Sequence, residues 1–447
     1  MTQREAIRLS DHFDYKRLLR FTGPSILTMI FASIYSIVDG YFVSNYAGAI
    51  PFAALNIMMP FLMILAAVGF MFGSGGTALV SLRLGQKKVK EANEVFSLIT
   101  YVLIAIGIVT SVIGYVITPQ VAKILGATEE LMPYSILYAR INMIGNLPFM
   151  LQHLFQSFLI TAEKPKMGFR VTVAAGVTNI FLDFLLVGVL GLGLAGAAWA
   201  TVISQTVGGV IPLIYFLLPN SSVLRLGRIC RSLPALLRTC SNGSSEFLSN
   251  ASASIVGMLL NNQLLAYMGT NGVAAYGVIM YVNFVFVGIY FGFAMGVSPV
   301  IGYHYGAGNR EELRNLFRRC LILTASAGII LTVLAEVFAG ILAKIFVGYD
   351  PVLYILTVSG MRIYDLSFVM MGLNVLGSAL FTSLGNGKVS ALLSLIRSVV
   401  LQVSLILIFP LIFGGQSLWA VVVAVETGTL LVTWRMIVRY RSKYHYY

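Results

Sequence analysis

Five acidic residues lie inside long apolar stretches of this sequence, where a charge is costly. They are Asp39, Asp183, Glu246, Asp365 and Glu426, with Glu336 as a weaker sixth candidate. A charged side chain at the centre of a bilayer costs about 2.5–3.5 kcal/mol on insertion scales, so each acid needs a partner, a proton or water. Two carboxylates in a partly dry region resist simultaneous ionisation. Such a pair can hold a proton near neutral pH and release it to a competing cation, which is the chemistry of cation/proton exchange.

Asp39 and Asp183 are the strongest candidates for this role. Each has a polar neighbour one helical turn earlier, Tyr35 before Asp39 and Asn179 before Asp183. Residues at i and i+4 share a helix face, so each acid would lie in a polar, hydrated pocket. The alternative is that Asp39 only caps or hydrogen-bonds a neighbouring helix and never titrates.

The acids of the second half leave more alternatives open. Arg362 and Asp365 stand at i and i+3, so a structural ion pair is as well supported as a role in transport. Arg140 takes the equivalent position to Arg362 in the first half, which favours a structural role for this arginine. For Glu426, a cavity role and a helix contact both remain open.

The composition identifies the elements that must position these groups. Hydrophobic residues make up 58% of the 447 residues and charged residues only 11%, whereas a soluble domain carries about 25% charged residues. The apolar runs are long and continuous, which predicts membrane-spanning helices and argues against a β-barrel. Twelve spans are predicted near 18–43, 52–80, 95–118, 132–162, 171–190, 194–219, 241–267, 273–302, 318–343, 352–384, 391–413 and 417–438.

The loops predict the orientation of the chain in the membrane. One set of loops, together with both termini, is rich in lysine and arginine, while the opposite loops contain only Lys123 and Lys344. The positive-inside rule therefore predicts that both termini are cytoplasmic. The net charge of +13 is a topology signal with some attraction to anionic lipid, and it does not indicate nucleic-acid binding.

An internal repeat relates the two halves of the chain. GAIPFAAL from Gly48 and GTNGVAAY from Gly269 align at a fixed offset that also matches Gly85 with Gly306. Because each half has an even number of spans, the repeats are parallel, and two such lobes enclose a cleft. The predicted divisions are a cytoplasmic N-terminal segment (1–17), an N-lobe (18–219), a linker (220–240), a C-lobe (241–438) and a cytoplasmic tail (439–447).

Several longer segments together resemble the multidrug and toxic compound extrusion (MATE) transporters, and within them the MepA-like bacterial branch. They are IYSIVDGYFVSNYAG, GFMFGSGGTALVSLRLGQ, TNIFLDFLLVGVLGLGLAGAAWATVIS and GVSPVIGYHYGAGN, and the resemblance covers essentially the whole chain. It implies an all-α membrane protein of the MATE/MOP type, with twelve helices in two six-helix lobes. It also implies export of cationic amphiphilic drugs or dyes in exchange for protons or sodium.

The resemblance assigns candidate roles to particular residues. It implies an ion-coupling site in the N-lobe, formed by Asp39, Asn179, Asp183, Tyr35, Tyr138 and Thr201. In some members of the family a second cation site uses acids of the seventh and tenth spans. The candidates here are Glu246 and Asp365, with Arg362 beside them, although Glu246 lies nearer the cytoplasmic end than that site requires.

The sequence thus predicts a secondary antiporter, monomeric, in a bacterial cell membrane, with no cofactor, no bound metal and no enzyme activity. The alternative from the same superfamily is a lipid-linked oligosaccharide flippase, whose cavity should be lined by cations that hold a pyrophosphate. Only Arg140, Arg362 and Arg397 qualify, against a larger number of acids. A receptor without transport would leave the costly buried acids unexplained. A phosphate-binding loop of the G-x-x-x-x-G-K-S/T type is absent, which excludes primary active transport.

Overall fold

The chain is helical almost throughout, with short turns between the helices. The computed structural model describes residues 7–230 and 232–447. Residues 1–6 of the predicted N-terminal segment and Arg231 of the predicted linker lie outside the described residues. No strand occurs within the described ranges, as expected for apolar segments that must satisfy their backbone hydrogen bonds within each span.

Six spans form the first half of the chain. They are α1 (Tyr15–Ala47), α2 (Ala49–Gly85), α3 (Val89–Ile124), α4 (Met132–Ile144, continued by Asn146–Thr161), α5 (Pro165–Val189) and α6 (Gly193–Leu217). The predicted fourth span is therefore broken at Gly145. A Cβ at Gly145 would stand only 2.7 Å from the Val202 side chain, so the break lies where α4 presses on α6.

Six further spans form the second half. A 74-residue helical run, Leu233–Gly306, contains two of them, because Gly269 has a non-helical backbone (φ 66°, ψ −161°) that separates α7 (233–268) from α8 (270–306). The others are α9 (Arg310–Val347), α10 (Pro351–Asp365, continued by Phe368–Ser383 after a 45° bend), α11 (Gly387–Phe413) and α12 (Gly415–Tyr444). The twelve predicted spans are therefore present in the part of the chain that the structure describes.

The start of α7 differs from its predicted position. The prediction began the span at residue 241, but the helix begins at Leu233, where Ser232 caps it by accepting a hydrogen bond from the Ala235 amide. Pro234 occupies the first turn, where its missing N–H costs nothing. The additional residues include the exposed Arg238, so this extension carries a charge that the predicted span excluded.

The outer surface of the bundle is apolar. Large hydrophobic side chains such as Ile124, Ile345, Leu411 and Leu431 are among the most exposed in the chain. An apolar surface of this extent faces lipid, because no soluble protein leaves so many such groups in water. The chain is thus a multi-pass membrane protein.

The backbone repeats the internal symmetry of the sequence. Gly48, between α1 and α2, has φ 97° and ψ 169°, close to the conformation of Gly269 between α7 and α8. Both values lie in a region that only glycine enters freely. The two hairpins that open the lobes are therefore made by the same turn at equivalent sequence positions.

Two further turns are equivalent in shape but differ in residue type. After α2 the chain has Lys87 at φ 61°, where the second half has Gly308 at φ 69°. After α4 it has Glu163 at φ 61°, where the second half has Gly385 at φ 72°. A left-handed backbone is unfavourable for residues other than glycine, so the first half keeps these turns at some cost.

The lobes meet through glycines at the end of the bundle that contains both chain termini. A Cβ on Gly85 of α2 would overlap the Tyr303 carbonyl oxygen of α8, and a Cβ on Gly306 of α8 would overlap the Leu82 carbonyl oxygen of α2. Leu82 and Tyr303 are themselves repeat-equivalent positions. The contact is therefore reciprocal, and it closes the lobes against each other at the termini end.

Candidate functional site

Two carboxyl groups come together in the first lobe, between α1 and α5. The Asp39 carboxyl group lies close to the Asp183 carboxyl group and to the Asn179 side chain, without a described hydrogen bond to either. Asp183 begins a π-helical segment, Asp183–Val189, at the end of α5. The wider turn of a π-helix is a frequent feature of functional sites.

A glycine allows the two helices to approach each other. Gly176, one turn before Asn179, has no side chain, and a Cβ there would overlap the Phe31 ring and stand 2.9 Å from Cδ1 of Tyr35. Phe31 and Tyr35 both lie on α1, two turns and one turn before Asp39 respectively. The small residue on α5 therefore sets the spacing that brings the two acids together.

The acid on α5 is completely enclosed. Asp183 is 0% exposed and Asn179 is 2% exposed, whereas Asp39 is half-buried. Within the described chain, no donor reaches either carboxylate oxygen of Asp183, and the Asn179 amide nitrogen has no acceptor. A buried carboxylate that lacks donors is costly. This pair can remove the cost by sharing one proton between the two carboxyl groups or by binding a cation.

The tyrosines of the predicted coupling site lie around the acids. Tyr138 on α4 is buried and close to both Asp39 and Asp183. Tyr35 lies between Asp39 and Gln152 of α4. The structure thus brings together five of the six predicted residues, Asp39, Asn179, Asp183, Tyr35 and Tyr138.

No hydrogen bond from the Thr201 side chain to the acids is described, so its role stays a prediction, and Gln152 is a further polar residue beside the site. Thr201 is half-buried on α6, and its described hydrogen bond runs within that helix, from the Ser204 hydroxyl to the Thr201 carbonyl oxygen. Gln152 was not predicted, although it is only 5% exposed and its Oε1 has no described partner. A glutamine inside an apolar span also costs free energy, although less than an ionised acid, and that signal could have identified it.

The second lobe contains a buried ion pair that joins three helices. Arg397 of α11 contacts Glu426 of α12 at 2.7 Å, and the Asn374 amide of α10 donates to the other Glu426 oxygen at 2.7 Å. The Thr433 hydroxyl in turn donates to Asn374 at 3.1 Å. Glu426 is therefore a helix contact, which resolves the two alternatives that the sequence left open. Asn374 was not predicted, although it too is an amide inside an apolar span.

Glu246 borders a small polar cavity beside this ion pair. The water-accessible volume of this cavity is about 20 Å³, which is enough for one water molecule or a small cation. Among the described residues, no cation lies within 4.0 Å of Glu246. The polar groups that line the cavity are Glu246, Ser249, Asn374, Ser378, Ser394, Arg397 and Thr429.

Asp365 and Arg362 do not line this cavity, and they do not pair with each other. Arg362 reaches towards Glu336 of α9 at 3.9 Å with its side chain 64% exposed. Asp365 is 1% exposed, and neither of its carboxylate oxygens has a described donor. Of the two alternatives for these residues, the structural ion pair at i and i+3 is therefore wrong. The first segment of α10 ends at Asp365 and bends by 45° into the next segment, so Asp365 is buried while Arg362 remains on the outside.

The two equivalent arginines make equivalent contacts. Arg140 of α4 lies over the Tyr115 ring of α3, with its guanidinium carbon 4.9 Å from the ring centroid. Tyr115 is the repeat equivalent of Glu336, which Arg362 of α10 approaches on α9. In both lobes the fourth span therefore uses its arginine to contact the third, in agreement with the structural role inferred from the repeat.

A sequence model of the MatE family matches this chain twice, over residues 24–185 and 246–408. The chain belongs to the MatE family. The two matches fall in the two halves of the chain, as the internal repeat predicts. MatE proteins are transporters rather than enzymes.

Relatives and solved structures agree with this assignment. Multidrug export protein MepA of Staphylococcus haemolyticus is 24% identical over 416 residues, covering 92% of this chain and 90% of the relative. The MepA protein of a Staphylococcus aureus strain is also 24% identical, with the same coverage of each chain. A multidrug resistance MATE family transporter of the MOP superfamily, solved in an outward-facing conformation, superposes with a TM-score of 0.91 at 22% identity, covering 99% of this chain and 100% of the other. A MATE structure in a straight conformation gives 0.90 at 22% identity, covering 97% and 98%. The predicted MATE-type fold is confirmed.

Proposed function

We propose that this MatE protein exports cationic amphiphilic compounds in exchange for protons or sodium, by alternating access of its two lobes. The observation that carries the proposal is the enclosed carboxyl pair of Asp39 and Asp183 in the first lobe. The MepA relatives, described as multidrug export proteins, support drugs or dyes as the class of substrate.

The carboxyl pair supports coupling through a simple charge argument. A shared proton stabilises the pair while the site is dry, and a cation that enters the cleft can replace this proton. Since Asp183 is fully enclosed and Asp39 only half-buried, Asp39 is the acid that a cation in the cleft meets first. Asn179 and Tyr138 supply neutral polar groups that can orient either ligand.

Glu246 supports a second cation site in the other lobe. Its cavity offers the oxygens of Ser249, Ser378 and Asn374, and oxygen ligands are the ones that sodium and similar hard cations bind. Asp365 is a separate buried acid, and Arg362 takes a structural role through Glu336.

We also propose that the protein is a monomer in a bacterial cell membrane. The basic loops lie with both termini, so we propose that the termini end of the bundle is cytoplasmic. The closed glycine contact at that end then leaves the cleft accessible from the outside.

The contacts of the intramembrane arginines argue against an oligosaccharide flippase. Arg397 is paired with Glu426, Arg362 approaches Glu336, and Arg140 lies over Tyr115. Each of the three therefore faces a side chain of its own lobe instead of forming a shared cationic cluster for a pyrophosphate.

Ethidium efflux from proteoliposomes tests the proposal, with proton and sodium gradients imposed separately. We expect one gradient to drive efflux in the wild-type protein and Asp183→Asn to abolish it, because the amide has the same shape but cannot release a proton. Asp350→Asn is the matched control. Asp350 caps α10 outside the membrane by accepting from the Val352 and Leu353 amides, and asparagine caps equally well.

The outcomes separate the parts of the proposal. Efflux that survives in Asp183→Asn would move coupling to Asp39 alone or to Glu246 and Asp365. Folded wild-type protein that moves no dye under either gradient would overturn drug export and favour the flippase.

A further inference from the structure

The residues just before α1 form an ordered segment across the termini end of the bundle. We call residues 7–14 the N-terminal strap. Its two large apolar side chains, Leu9 and Phe13, are 1% and 0% exposed. They belong to the same hydrophobic core as residues of α2, α8 and α9, so the strap is packed into the protein.

The strap is held by one acid from each lobe. The Leu9 amide donates to Oε1 of Glu163, in the turn between α4 and α5 of the first lobe, at 2.7 Å. The Phe13 amide donates to Oε1 of Glu312, on α9 of the second lobe, at 2.9 Å. His12 Nδ1 lies 2.5 Å from the other Glu312 oxygen, and the Asn315 amide donates to the Phe13 carbonyl oxygen at 3.2 Å.

Glu163 occupies a position where its backbone is unfavourable. Its φ of 61° is the left-handed conformation that glycine adopts in the equivalent turn of the second lobe, at Gly385. Burial raises the pKa of the Glu163 carboxyl group, and the Leu9 amide partly offsets this by donating to the charged form. The hydrogen bond to the strap explains why a glutamate occupies this strained, half-buried position, because a glycine in this turn could not make that contact.

The interlobe linker makes the corresponding contacts on the other lobe. Asn93 of α3 accepts a hydrogen bond from the Arg225 amide and donates to the Val223 carbonyl oxygen at 3.2 Å. Asn93 lies within one residue of the repeat equivalent of Asn315, and Leu224 of the linker is fully buried. The linker crosses α3 on its way into α7, just as the strap crosses α9 on its way into α1.

We propose that the N-terminal strap is a noncovalent latch that ties the two lobes together at the termini end. The linker joins the lobes there by covalent bonds on one side of the pseudo-symmetric interface. The strap joins them on the other side through Glu163 and Glu312. Because it continues directly into α1 of the first lobe, it must leave Glu312 when the lobes separate at that end. Its consequence for transport rests on the alternating access proposed above, but the first of its two tests needs neither substrate nor gradient.

The first experiment measures the separation of the lobes with spin labels at Lys90→Cys and Glu311→Cys. These exposed, repeat-equivalent positions lie on α3 and α9, and the native Cys230, Cys240 and Cys320 are replaced by alanine. The release variant is Glu163→Gly with Glu312→Ala. Because a hydrogen bond to a charged group contributes about tenfold to an equilibrium, we expect the ratio of long to short label distances to rise at least about tenfold.

A matched control makes the same chemical change elsewhere. Glu129→Gly with Glu130→Ala alters two exposed glutamates at the opposite end of the bundle and should leave the distances unchanged. Glycine also relieves the strained backbone at position 163, so a general loss of folding is not the expected effect of that change. A release variant whose distances match those of the wild type would overturn the latch.

The second experiment locks the strap. A short thiol cross-link between His12→Cys and Glu312→Cys should stop dye efflux, and a reducing agent should restore it. The same reagent applied to Lys88→Cys and Glu91→Cys should leave efflux unchanged, because these two positions, whose native Nζ and Oε1 atoms are 3.0 Å apart, lie within one lobe. Efflux that continues in fully cross-linked protein would also overturn the latch. A wild-type protein that transports nothing would count against the proposed function, while the distance measurement would still decide the latch.

Discussion

Gly85 and Gly306 allow the ends of α2 and α8 to touch through their backbones, and an alanine at either position should hold the lobes apart. A Cβ on Gly85 would overlap the Tyr303 carbonyl oxygen and stand 2.8 Å from the Ala307 nitrogen, where ordinary contact begins at 3.4 Å. The atoms in the way belong to the backbone of a helix, so no side chain can rotate to make room. The helix ends must move apart by at least about 0.6 Å. Because the clash exists only when the helix ends touch, its free-energy cost falls entirely on the closed state.

The size of the effect follows from the cost of overpacking. An extra methyl group in a well-packed contact costs about 1–3 kcal/mol, and every 1.4 kcal/mol changes an equilibrium about tenfold. Gly85→Ala should therefore increase the population that is open at the termini end by about fivefold to a hundredfold. Gly306→Ala should have a similar effect, because its Cβ meets the equivalent atoms of α2.

Thiol labelling at Thr22→Cys measures this population. Thr22 is 0% exposed, and its side chain fills the space against Gly296 of α8, where a Cβ would stand 2.8 Å away. In a protein without other cysteines, a maleimide reaches this thiol only when the lobes separate. When opening and closing are fast relative to labelling, the labelling rate follows the open population.

Gly257→Ala is the control, because a Cβ there meets nothing within 4 Å. It makes the same gain in helix propensity, about 1 kcal/mol, without a clash between the lobes. If Gly85→Ala labels no faster than Gly257→Ala, the glycine contact does not hold the lobes closed.

Two further predictions concern the interior of each lobe. A Cβ at Gly176 should push α1 away from α5 and separate Asp39 from Asp183, so Gly176→Ala should lower gradient-driven efflux at least about tenfold. Gly168→Ala is the control and should leave efflux unchanged, because a Cβ there is 3.7 Å from its nearest neighbour. Equal efflux in both variants would contradict this role of Gly176. Arg397→Met should lower the free energy of unfolding by about 3–5 kcal/mol because it leaves Glu426 charged and unpaired, and adding Glu426→Met should restore most of the loss. Thermal unfolding in detergent measures both variants, and a double variant no more stable than the single one would show that the ion pair is not the cause.

The number of spans and the repeat could be predicted because composition and period determine them. The breaks within spans could not. Gly145 interrupts α4 where it meets Val202 of α6, and the bend after Asp365 depends on how α10 packs. Both features depend on contacts between helices that are distant in the sequence, and an analysis of local sequence windows does not include such contacts.

The candidate site could also be predicted only in part, because the sequence indicates which acids are buried but not which residues they contact. The cost of a buried charge identified each acid, including Asp39, Asp183 and Glu426, but it could not identify their partners. Arg397 and Glu426 are 29 residues apart and meet only because α11 and α12 pack together. A buried amide costs less free energy than a buried charge and is therefore a weaker signal, which is why Asn374 and Gln152 were missed.

The left-handed turns after α2 and α4 show which part of the duplicated unit has been kept. Glycine stands at this conformation in the second half, at Gly308 and Gly385, while the first half has Lys87 and Glu163 in the same shape. The feature shared by the two halves is thus the backbone conformation of these turns, whereas the side chains at these positions have diverged and have different roles. Glu163 has acquired a contact, whereas Lys87 is exposed. For protein engineering, Lys87→Gly should therefore relieve the strained backbone of the turn after α2. It would remove no contact of the kind that Glu163 makes.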